Sequence, residues 1–112
     1  MKLSALALTA FVAATNAASC RYWFPTILTH RYEAGADGVD DIPGICGGLW
    51  DNLNRFPACA SSSQTSCGQG SNGPGHLHWE FTVTIYCNPG MVESAWWEAT
   101  RNRFGAITCP AR

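Results

Sequence analysis

The sequence predicts an α+β sandwich, with two helices on one face of a four-stranded antiparallel sheet. Three observations carry this expectation. Six cysteines are spread along a chain of 112 residues, which suits a small domain braced by crosslinks. Two segments repeat their apolar residues at helical spacing, and the segments between them alternate or carry β-branched and aromatic residues.

The chain opens with Met1 and Lys2, an apolar run over residues 3–14, and the small residues Thr15, Asn16, Ala17 and Ala18. This is the layout of a secretory signal peptide, and cleavage after Ala17 keeps the small Thr15 three positions back from the cut. Residues 1–17 are expected to be removed, leaving 18–112 as a single disulfide-rich domain that is secreted and extracellular. The apolar run falls well short of the roughly 20 residues that span a bilayer, and no later segment approaches that length.

The first strand is expected over residues 21–32, where Trp23, Phe24, Ile27, Leu28 and Tyr32 mix with threonines and Pro25 marks a bulge or an unpaired edge. A glycine-rich loop over 34–38 ends it. Ile42, Ile45, Cys46, Leu49, Trp50, Leu53 and Phe56 then follow the spacing of an amphipathic helix capped by Asp40 or Asp41. Gly44, Gly47 and Gly48 weaken that helix by up to about 1 kcal/mol each relative to alanine, so packing must hold it, and the glycines would let it lie close to a sheet.

Residues 60–66, rich in serine, suggest a weak polar edge strand, and 68–75 a loop dominated by glycine and proline. The clearest element covers 77–87. Leu77, Trp79, Phe81, Val83, Ile85 and Cys87 alternate with His78, Glu80, Thr82, Thr84 and Tyr86, which describes a half-buried strand. Asn88 and Pro89 then start a helix over 91–103, with Val92, Ala95, Trp96 and Ala99 on one stripe and Gly105 as its stop. Residues 106–109 would form a short closing strand.

This order is that of a ferredoxin-like β-α-β-β-α-β sandwich, with sheet order 4-1-3-2 if crossovers are right-handed. The topology places Cys20, Cys59, Cys87 and Cys109 near one sheet edge and Cys46 and Cys67 at the other. Nearest neighbours pair Cys20 with Cys109, Cys59 with Cys87 and Cys46 with Cys67. An even count in an oxidising compartment, without a C-x-x-C pair, favours disulfides over a metal cluster.

Beyond the leader there are six arginines and no lysine against eight carboxylates, which leaves a net charge of −2. Nucleic acid and anionic membranes, both of which want a concentrated basic face, are therefore not expected partners. No Asn-x-Ser/Thr sequence is present, so N-glycosylation is not expected.

His76, His78 and Glu80 are the sharpest polar candidates, because alternate residues of a strand point the same way, about 7 Å apart. Such a face could bind zinc or share acid and base duties in phosphodiester cleavage, and His30 could join it. A solvated strand face is the favoured reading, so no catalytic residue, metal or cofactor is assigned. Gly68, Gly70 and Gly73 match a dinucleotide-binding pattern literally, but the loop precedes a strand instead of following one. Trp96 and Trp97 are adjacent on a helix, about 100° apart, so one can enter the core and leave Trp97 exposed as an anchor for a partner.

A leader of this kind, a short mature chain and six dispersed cysteines resemble the small secreted cysteine-rich effectors of filamentous fungi. The strand and helix order is similar to their α/β-sandwich subset, which resembles a virally encoded fungal killer toxin. The resemblance implies a non-enzymatic protein that acts at a host interface by binding a host protein or another extracellular target, or by disturbing immunity or aiding colonisation; a monomer is expected. It carries over no site residue. A ribonuclease-like hydrolase or toxin using His76, His78 and Glu80 is the alternative from another class, and an antimicrobial or killer-type protein is a third.

Overall fold

In the computed structural model the described residues are 18–60 and 63–111, so the expected leader lies outside them. They form strands β1 (Ala18–Thr26) and β2 (Thr29–Ala36), helix α1 (Ile42–Leu53), a 3-10 turn (Pro57–Cys59), strands β3 (Ser63–Gln69) and β4 (Leu77–Thr84), and helix α2 (Pro89–Thr100). The sheet has four antiparallel strands in the order β1-β2-β4-β3.

This is a small disulfide-rich α+β fold, but its order is not the ferredoxin-like one. Residues 21–32, expected as one strand, are a hairpin. Its turn is Ile27 and Leu28, with Thr26 opposite Thr29; the two threonine hydroxyls lie 2.9 Å apart and Thr26 Oγ1 accepts from Leu28 N. Among the described residues only Arg101 and Asn102 are non-glycine residues at positive φ. The turn therefore needs no left-handed residue, and the glycine or asparagine that normally marks a hairpin is missing. Pro25 falls where the β1–β2 register shifts, a place that needs no ladder donor.

The second difference is at the C-terminus. Residues 106–109 are not a strand; they form a strap whose Ile107 and Cys109 are buried. Only beyond it does Tyr22 N donate to Pro110 O, with one parallel bridge from Tyr22 to Ala111. Glu93 Oε2 on α2 accepts from Cys109 N at 2.9 Å, so the strap is tied to the helix as well as to the sheet. The loop expected over 34–38 also begins late, because Ala34, Gly35 and Ala36 pair with Trp79, His78 and Leu77.

Three disulfides join Cys20 to Cys109, Cys46 to Cys67 and Cys59 to Cys87, the three pairs drawn from the sequence. The strap occupies the side of β1 where a closing strand had been placed, and the β1–β2 hairpin stands where one strand had been. Those substitutions leave the ends that carry the cysteines as neighbours.

The core lies between one sheet face and the helices. Tyr32, Leu77, Trp79, Phe81, Leu49, Leu53, Val92 and Trp96 are all fully buried, and Trp50 of α1 meets Trp79 and Phe81 edge-on. Asp41 caps α1 by accepting from Gly44 N, and Asn88 caps α2 by accepting from Met91 N. Helix α1 lies against the sheet and also close to the other helix, where a Cβ on Gly48 would stand 3.4 Å from Ala99 Cβ. Helix α2 stops at Arg101, in the left-handed conformation, before reaching Gly105. Trp96 Nε1 donates to Gly105 O, which draws the chain back and lets Phe104 and Ile107 enter the core.

Candidate functional site

No described helix covers the opposite sheet face, and on it the strand alternation collects polar side chains. In β4 the core-facing Leu77, Trp79, Phe81 and Val83 leave His78, Glu80 and Thr82 on the open side. The ladder sets Glu80 across from Glu33 of β2, and Glu33 across from Arg21 of β1. His78 stands across from Gly35, and Arg31 from Thr82.

These residues form one connected network. His78 Nε2 donates to Glu33 Oε2 at 2.8 Å and lies 3.5 Å from Glu80 Oε1. The other oxygen of Glu33 accepts from Arg21 Nε at 2.8 Å and lies 2.6 Å from Arg21 Nη2. The other oxygen of Glu80 accepts from Arg31 Nε at 2.5 Å, while Arg31 Nη1 donates to Thr82 Oγ1. Like charges directly across a sheet repel, and the two arginines offset that repulsion. The hydrogen bond from His78 holds the Glu33 carboxyl below its ordinary range, with the Arg21 guanidinium acting in the same direction and partial burial acting against both.

Beside this network lies a pocket of about 370 Å³, lined by Ser19, Arg21, Glu33, Asn72, His76 and His78 among others. Gly35 is part of its floor. A Cβ there would come 2.3 Å from Leu77 O, so only glycine fits. His76 sits just before β4 and pairs with Asp37, Nδ1 to Oδ1 at 2.8 Å. The pocket is thus lined by two histidines, each held by a carboxylate.

His76, His78 and Glu80 therefore share the open side, but they do not meet as a single cluster: His76 turns to Asp37, whereas His78 and Glu80 join Glu33. His30 does not join them. It is buried on the core face, between Tyr22 and Phe24 rings at 4.7 and 4.6 Å, with Nδ1 3.4 Å from both Tyr32 Oη and Cys87 O. Trp97 is 47% exposed on the helix layer, while Trp96 is fully buried.

Glu33, Arg21 and Arg31 were not singled out from the sequence. The signal was present in residues 31–36, where Arg31, Glu33 and Gly35 alternate with Tyr32, Ala34 and Ala36, but small residues at 34–36 read as a loop.

A second surface feature is apolar. Phe24, Ile27 and Leu28 at the hairpin tip are 55, 87 and 65% exposed, and Tyr86, next to the residue whose N–H reaches Leu28 O, is 74% exposed. No described helix is long and apolar enough to cross a membrane.

No protein-family model matches the chain, and no curated protein does. Among solved structures it is similar to an essential ribosomal processing protease, Prp, from S. aureus, crystallised with a covalently linked product peptide. That match has 12% identity and a TM-score of 0.34 over 85% of this chain and 99% of the other, a likeness too slight to carry any argument about fold or activity.

Proposed function

We propose that the chain is a secreted, disulfide-stapled effector of a filamentous fungus, which acts by binding a host protein and altering host immunity. The observation that carries this reading is the apolar tip of the β1–β2 hairpin. Isolated exposed apolar residues are ordinary, but four large ones gathered at one end of a sheet mark a contact surface. Aromatic and aliphatic side chains in such a cluster supply the anchors that dominate most interfaces. Three crosslinks hold the domain rigid, so little ordering entropy is lost when the tip is covered.

Purified, oxidised protein applied to host tissue is expected to change the immune oxidative burst. The Ile27→Ser/Leu28→Ser variant, which touches no core residue, is expected to lose that effect while keeping its thermal transition. An undiminished response from the variant would refute binding through the tip.

A second reading is favoured by one observation, the two histidine–carboxylate pairs that line a single pocket together with Arg21. Such a set could move a proton on and off an oxygen of a phosphodiester while a guanidinium holds the phosphate. In this reading the chain is a ribonuclease-like hydrolase. Hydrolysis of RNA by the wild-type protein, abolished in His78→Ala, would place this reading above the first.

A further inference from the structure

We propose that Glu33, His78 and Glu80 bind one divalent transition-metal ion, for which Zn²⁺ is the best-matched probe. The proposal stands apart from the host-target reading and is carried by the open sheet face alone. Each of the three residues offers one donor atom, and these atoms lie within 4.8 Å of one another.

The separations suit a shared ion. Tetrahedral ligands about 2.0 to 2.1 Å from zinc stand roughly 3.4 Å apart. His78 Nε2 is 2.8 Å from Glu33 Oε2 and 3.5 Å from Glu80 Oε1, so small side-chain adjustments would bring both pairs to that spacing. The ion would displace the Nε2 proton that now bridges to Glu33, and the released proton would pass to solvent. The imidazole nitrogen favours a transition metal over Mg²⁺ or Ca²⁺, which prefer oxygen ligands throughout.

The division of labour between oxygens is the more specific feature. Glu33 gives Oε1 to Arg21 and turns Oε2 inward; Glu80 gives Oε2 to Arg31 and turns Oε1 inward. Each ligating oxygen is therefore aimed by a guanidinium on the far side of its own carboxylate, the kind of outer partner that orients metal ligands. The backbone supports the same geometry. Glu33 and Glu80 are direct partners on β2 and β4, and His78 is two residues from Glu80 on the same strand face. Rigid strands hold ligand sets more accurately than loops do.

The guanidiniums also weaken the pull of the carboxylates on a cation, which makes this a site of moderate affinity. Glu33 and His78 line the 370 Å³ pocket, so water from that pocket can complete the coordination. Three protein ligands with one open position is the arrangement of zinc sites that exchange ligands, as opposed to closed structural sites.

Titration calorimetry of the oxidised full chain with ZnCl₂ tests this. Saturable binding of one ion per chain is expected, weakened about tenfold or more in His78→Ala and in Glu80→Gln, unchanged in His76→Ala, and absent with MgCl₂. Histidine ring signals in the NMR spectrum of the wild-type protein give a readout that needs no variant, and Zn²⁺ is expected to move the His78 signals alone. Absence of saturable binding, or zinc-induced shifts centred on His76 or His30, would overturn the proposal.

Discussion

His78 on β4 donates to Glu33 on β2 across the open face of the sheet, at 2.8 Å, and this bond is the main cause of the lowered carboxyl pKa of Glu33. The sign of the resulting pH dependence follows. A carboxyl that is more acidic in the folded chain than its ordinary value of 4.5 adds stability above that value. The contribution is lost as pH falls from there through the lower folded value. Thermal melts between neutral pH and pH 3 should show the transition temperature falling on the acid side, with a shallower fall in Glu33→Gln. An identical acid slope in the variant would remove Glu33 from the account.

The Cys59–Cys87 disulfide ties the 3-10 turn to the segment after β4, and both cysteines are fully buried. A bridge closing 28 residues should stabilise the fold by about 3 to 4 kcal/mol, chiefly by restricting the unfolded chain. Urea unfolding of the Cys59→Ala/Cys87→Ala double variant should report a loss of that order, enlarged by whatever the two buried sulfurs contribute to packing.

Gly35→Ala should destabilise the domain although alanine is the better strand residue elsewhere. Its Cβ would lie 2.3 Å from the carbonyl oxygen of Leu77, so β2 and β4 must part or shift. Overpacking of this kind typically costs about 1 to 3 kcal/mol. The same methyl would also intrude on the pocket floor, so equilibrium unfolding should show the loss before any ligand is added.

Tyr32 is fully buried and donates from Oη to Cys87 O at 3.0 Å, and burial raises its pKa strongly. The hydroxyl therefore remains protonated and serves as a fixed donor. Tyr32→Phe removes that donor and leaves the Cys87 carbonyl the longer 3.4 Å contact with His30 Nδ1, a loss worth about 0.5 to 1.5 kcal/mol. Chemical denaturation measures it directly, and an unchanged midpoint would mean that the bond contributes nothing net.

Much of this architecture was legible because period-two and period-3.6 patterns are imposed by burial. The alternation at 77–84 and the caps Asp41 and Asn88 are local signals, and they reappear as β4, α1 and α2. The β1–β2 hairpin was hidden because its turn is built from Ile27 and Leu28, apolar residues at ordinary backbone angles that prolong the look of a strand. Helix α2 ends early because Trp96 hydrogen-bonds forward to Gly105, a tertiary demand with no local signature. The open-face site was half visible. His78 and Glu80 follow from β4 alone, but Glu33 belongs to the site only once β2 is known to exist and its register with β4 is set. The same register turns His30 inward, since a residue paired with Val83 must share the core face.

The most direct test of the whole account compares two variants in one host-response assay, Ile27→Ser/Leu28→Ser at the apolar tip and His78→Ala on the polar face. If the chain acts by binding a host protein through the hairpin tip, the first variant loses the response and the second retains it. Loss in His78→Ala with full activity in the tip variant would contradict that account and move the function to the polar face.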